Sequence, residues 1–199
     1  MKNEQVTELL YQALETEMGG QLIYRQAIAC AQEPELKEEW QKYLDETTNH
    51  ERVLREMFGK IGLDPEVETP GRKVVRHKGE ALVAAMKMAL AEAGGPAAQL
   101  VAAESVVEAE TKDHQNWELI GRVAEASSGK MKSALQEAYE QVEEEEDEHL
   151  YHTMGWAREL WIKSLGMPAV IPPPEEEKKV KTAIGAARAE QSREELLKA

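Results

Sequence analysis

The stretch EEEEDEHLYH, Glu143–His152, decides how this chain is read. It holds five glutamates, one aspartate and two histidines. A run of this kind is ordinarily a solvated helix face, and Glu144, Asp147 and Glu148 are read that way. The residues around it argue for something more. Leu135, Ala138 and Val142 lead into the run at steps of three and four, and Trp156 and Leu160 continue beyond it. That is the stripe of a helix with one buried face. It passes through Glu145 or Glu146, then His149 and His152, so part of the acidic stretch turns inward.

Three other segments carry the same signature. One stripe runs through Val6, Leu10, Ala13, Glu17, Gly20, Tyr24 and Ala27. A second runs through Trp40, Tyr43, Thr47, His50, Leu54, Met57 and Ile61, with Glu46 beside Thr47. A third runs through Ala103, Val107, Glu110, His114, Trp117 and Gly121. Each stripe has ionisable groups near its middle. A single unpaired buried carboxylate costs several kcal/mol, so one in each of four helices would not leave a stable fold. The groups must compensate one another or share a positive charge. Divalent metals do this, because carboxylates and neutral imidazoles are their natural ligands. Four of the five histidines follow a glutamate by four residues: Glu46/His50, Glu110/His114, Glu145/His149 and Glu148/His152. Both i, i+3 and i, i+4 pairs share a helix face, and Glu146 with His149 adds an i, i+3 pair. There is also a weak internal repeat, with Glu17 and Glu110 each followed seven residues later by an aromatic, Tyr24 and Trp117.

The chain has 199 residues, 42% apolar and 31% charged, rich in Ala, Glu, Leu, Gln and Lys. Those are helix formers, and no window shows the period-two alternation of strands. The expectation is all-α. Proline and glycine divide the chain into long helices over about 3–31, 34–61, 96–126 and 130–165. Residues 62–95 form a crossover with a shorter helix over 79–93. Residues 1–166 make the bundle, and 167–199 a Pro-rich linker and one helical tail. A long crossover makes the second and third long helices parallel.

The net charge of −14 argues against a nucleic-acid surface. Cys30 is the single cysteine, so an internal disulfide, a Cys-only zinc site and a fused Cys-x-x-Cys electron-transfer module are all excluded. Its apolar surroundings read as a buried, unreactive thiol. The N-terminus lacks an apolar signal core and no run approaches a membrane span, so the expected location is cytoplasmic.

At these residues the sequence resembles the ferritin-like superfamily of di-metal carboxylate proteins, which includes rubrerythrin, bacterioferritin and manganese catalase. That pattern takes a Glu from each of two helices and Glu-x-x-His from each of the other two. The resemblance implies Glu17 and Glu110 as the single glutamates, Glu146 and His149 as one Glu-x-x-His, and His50 as the other histidine. Thr47 stands where the pattern has a glutamate, and Glu46 is the adjacent candidate. Glu145, His114 and His152 complete the candidate metal ligands. The implied cofactors are two iron or manganese ions, the substrates dioxygen or peroxide, and Tyr24 a hydrogen-bond or electron donor beside them. Peroxidase, ferroxidase and catalase-like activities are all within this class, and peroxide reduction would need an external electron donor. A homodimer or larger homo-oligomer is expected. The other reading is a non-catalytic metal-binding or interaction protein on the same fold.

Overall fold

The computed structural model describes residues 2–198, and these form helices and no strand. Four long helices carry the structure: α1 (Asn3–Cys30), α2 (Pro34–Ile61), α4 (Gly95–Glu125) and α5 (Gly129–Ser164), with α3 (Pro70–Glu92) between the second and third of them. Pro34 starts α2 where its missing N–H costs nothing, and Gly62 ends it in the left-handed region at φ 77°. The resulting α1–α2 hairpin is matched by the α4–α5 hairpin, joined at residues 126–128.

α1 packs against α2 and α4, and α5 packs against α4 and α2, which closes a four-helix ring. Tyr24 meets Glu110 and Thr16 meets Asn116. Numbers fall on α1 as they rise on α4, so these two helices are antiparallel. α2 and α4 therefore run the same way, as a crossover connection requires.

The crossover differs from the sequence expectation. The helix begins at Pro70, not near Gly79. Thr69 caps it, its hydroxyl accepting from the Arg72 amide at 3.1 Å. Gly71 sits inside the helix because α3 passes close to α1 there: a Cβ would stand 1.9 Å from Glu8 Oε1. Arg72 is buried and donates to Glu15 at 2.6 Å and to the carbonyls of Pro65 and Val67. α3 lies along the outside of α1 and α4.

The tail also differs. One helix was expected; α6 (Pro174–Glu177), α7 (Ala183–Gln191) and α8 (Arg193–Leu196) are found. They hold to α5 through buried ion pairs. Arg158 donates to both oxygens of Glu175 at 2.8 Å, and Arg193 donates to the fully buried Glu159 at 2.6 Å. Gly155 makes room for this, since a Cβ there would lie 2.5 Å from Glu175 Oε2.

Two apolar clusters fill the bundle. One contains Leu10, Leu14, Leu54, Phe58, Trp117, Ile120 and Leu135; the other contains Ile23, Tyr24, Trp40, Tyr43, Ala103, Trp156 and Leu160. Between them lies a belt of buried ionisable side chains. No helix among the described residues is long and apolar enough to cross a membrane.

Candidate metal centre

The belt holds four carboxylates and two imidazoles: Glu17 from α1, His50 from α2, Glu110 and Asp113 from α4, and Glu146 and His149 from α5, none more than 4% exposed. His50 Nδ1 lies 2.8 Å from Glu146 Oε1 and 3.7 Å from Glu17 Oε1. His149 Nδ1 lies 3.6 Å from Glu110 Oε2 and 3.8 Å from Glu146 Oε1. The two rings stack with centroids 5.6 Å apart. Ligand atoms of His50, Glu146 and His149, and of Glu17, Asp113 and Glu146, fall within 4.8 Å of one another.

The outward side of four of the six groups is held. His50 Nε2 bonds to Glu145 at 2.7 Å, and His149 Nε2 to Glu46 at 2.9 Å. A carboxylate accepts only, so each Nε2 carries the hydrogen and each Nδ1 faces inward. The Trp117 indole donates to Glu17 Oε1 at 2.7 Å, and the Tyr24 hydroxyl donates to Glu110 Oε1 at 2.8 Å. Within the belt these buried atoms remain unpartnered: Glu17 Oε2, Glu110 Oε2, Asp113 Oδ1, Glu146 Oε2, His50 Nδ1 and His149 Nδ1. Buried polar atoms are rarely left without partners. Six of them lie in this belt, and the triads His50/Glu146/His149 and Glu17/Asp113/Glu146 could each hold a metal ion.

The electrostatics of the ion-free protein show the same demand. Burial, then the neighbouring Asp113 and Glu146, push the Glu17 carboxyl well above the usual range. Burial, then Glu146 and Glu110, do the same to Asp113. Burial lowers the basicity of His149, but the facing Glu110 and Glu46 carboxylates outweigh this and bring it up to about 10. In the absence of a bound cation, protons offset this buried negative charge.

The structure thus brings Glu17, His50, Glu110, Glu146 and His149 together, with Tyr24 at their edge. Glu46 and Glu145 form the rim, aimed at the histidines rather than at the centre. His114 and His152 are elsewhere. His114 is a quarter exposed and pairs with Asp147 at 3.1 Å. His152 belongs to a second cluster with Glu39 and Glu176. Asp113 was missed by the sequence reading, which carried the α4 stripe through His114. Thr47 is buried, and its methyl would lie 3.2 Å from a Cβ on Gly20. It packs on α1, while the carboxylate absent from α2 is matched by Asp113 on α4.

A pocket of about 260 Å³ lined by Trp117, Glu146, Tyr139, Asp147, Tyr151 and Ala183 reaches the centre from the α4–α5 side. A larger groove of about 750 Å³ under α3 is lined by Gln12, Thr16, Val75, Leu82 and Lys112, and by none of the six central residues. Comparison with protein-family models, with curated proteins and with solved structures finds no match.

Proposed function

We propose that this chain is a ferritin-like di-metal protein, with two iron or manganese ions held by Glu17, His50, Glu110, Asp113, Glu146 and His149. One observation carries the reading: six unpartnered, buried ligand atoms from four helices lie in one belt, and five of their residues form two triads that share Glu146. When bound, the pair would supply redox chemistry with dioxygen or a peroxide.

The chain's own residues have definable tasks around it. Glu145 and Glu46 fix the histidine tautomers and orient the rings, as hydrogen-bonded partners of metal ligands commonly do. Trp117 and Tyr24 each hold one oxygen of a glutamate and leave the other free. Burial, then the charge of Glu110, push the Tyr24 hydroxyl well above its ordinary range, so it stays protonated as a donor. The apolar clusters exclude water from both ends of the belt. The pocket at Glu146 is small, which favours a small oxidant over a bulky organic substrate. The single cysteine provides no Cys pair within this sequence to pass electrons to the centre.

The test is elemental analysis of protein from cells grown with both iron and manganese. About two metals per chain is the expected result, falling sharply in Glu17→Ala. Protein that takes up neither metal, with Glu17→Ala altering only stability, would mean that protons alone hold the belt. The chain would then be a non-catalytic protein on this fold.

A further inference from the structure

The second cluster lies between α2, α5 and the tail. Glu39 comes from α2, His152 from α5 and Glu176 from α6. His152 Nε2 is 3.0 Å from the carbonyl oxygen of Val180. A carbonyl cannot donate, so Nε2 carries the hydrogen, and in a neutral ring Nδ1 presents a lone pair. That nitrogen has no hydrogen-bond partner, and the side chain is 4% exposed. It faces Glu176 Oε2 at 3.1 Å and Glu39 Oε1 at 3.9 Å. The Trp156 indole holds the opposite oxygens, donating to Glu39 Oε2 at 2.8 Å and Glu176 Oε1 at 3.0 Å. The geometry therefore turns three ligand atoms toward one another, with the Val180 carbonyl and the Trp156 indole holding their far sides. Atoms arranged in this way repel unless a proton or a cation lies among them.

We infer that Glu39, His152 and Glu176 form a separate single-ion site for a divalent transition metal, which latches the C-terminal segment onto the bundle. One nitrogen and two oxygens suit manganese, iron or zinc. The His–carbonyl bond is a usual way of orienting a metal-bound imidazole. Glu176 is the only ligand from the tail. Loading the site ties α6 to α2 and α5, and emptying it leaves the tail to the Arg158–Glu175 and Arg193–Glu159 pairs. The site shares no residue with the central belt.

The full chain, stripped with a chelator, is titrated with Mn²⁺ and followed by metal count and electron paramagnetic resonance. The expected result is one equivalent beyond those of the central belt, seen as a magnetically isolated ion. Glu176→Gln and His152→Ala lose that equivalent and that signal. Glu17→Ala keeps both, so failure of the central site and failure of this one are distinguishable. Glu176→Gln is nearly isosteric, which guards against a loss caused by misfolding. A second readout is tryptic cleavage at the exposed Lys178, Lys179 and Lys181. With Mn²⁺ at about a hundred times its dissociation constant, release of the tail should be suppressed about a hundredfold, and Glu176→Gln should abolish this protection. A metal count and spectrum unchanged in both variants, or cleavage that ignores Mn²⁺, overturns the inference and leaves a proton as the shared charge.

Discussion

Asp113 and His114 lie about 100° apart on α4, one on each side of the line through Glu110 and Trp117. A stripe drawn at steps of three and four can pass through either, and nothing in one helix's own sequence chooses. Packing against α1 and α5 chooses Asp113: it is 4% exposed, while His114 turns to Asp147 at the edge. Glu145 and Glu146 pose the same problem: both reach His50, and burial settles it, the Glu146 side chain being 2% exposed and that of Glu145 40%. The sequence therefore revealed which helices carry ionisable centres, but not which of two neighbouring residues faces in. The difference is testable. Asp113→Asn keeps the shape and removes one of the four belt charges, so metal content should fall to about one ion per chain or less. Glu145→Gln changes only the rim. It should weaken metal binding by about 10- to 100-fold, as loss of a ligand's hydrogen-bonded partner typically does, while leaving the saturated metal count unchanged. Elemental analysis beside a competitive chelator titration separates the two. Equal behaviour of both variants would remove the distinction between centre and rim.

At the scale of the element, the four long helices were legible because each has a continuous stripe and clear stops at Pro34, Gly62, Gly94 and the 127–129 turn. α3 was not, because its first half is basic, contains two glycines and has few apolar residues to set a period. What makes residues 70–78 helical is tertiary: Arg72 and Arg76 reach Glu15 on α1, Arg72 from a buried position. Burial acts to raise the Glu15 carboxyl, but its hydrogen bonds to Arg76 and Arg72 prevail and hold it below the usual range. Glu15→Gln should cost about 3 kcal/mol, because a buried guanidinium loses its counter-charge. Thermal melting would show it, and hydrogen exchange should place the loss in α3 and the facing part of α1. The sign with pH follows from the lowered pKa. The contribution of Glu15 is fully present above the ordinary carboxylate value and disappears as pH falls through the folded-state value. The wild type should therefore lose stability in acid by a component that Glu15→Gln lacks. Parallel acid melting curves for the two proteins would argue that the ion pair contributes nothing.

For the whole molecule, the belt divides one core into two apolar halves, so the stability of the bundle is tied to what neutralises its middle. Stripping the metal should leave a folded but weaker protein that relies on protons. His149 is brought up to about 10, against an ordinary histidine value near 6.5. In the separate cluster with His152, Glu39 is raised to about 9 by burial, then by the adjacent Glu176. Both groups bind more protons in the folded than in the unfolded chain, so each contributes stability that is lost as pH rises through its folded value. The window opens near 4.5 for Glu39 and near 6.5 for His149, and closes near 9 and 10. The chelated protein should therefore melt at progressively lower temperature between pH 7 and pH 10. With metal bound the dependence should flatten or reverse over the same range, because ligation needs the deprotonated carboxylates and imidazoles and strengthens as protons leave. Metal at about a hundred times its dissociation constant should add about 2.7 kcal/mol for each site occupied in the folded state alone. Calorimetric melting of chelated and Mn²⁺-loaded protein from pH 6 to pH 10 decides the matter. Diverging curves that separate as pH rises are expected if metal and proton compete for the same buried charge. Superimposed curves would show that the belt is neutral without either, and that the six inward atoms have partners of another kind.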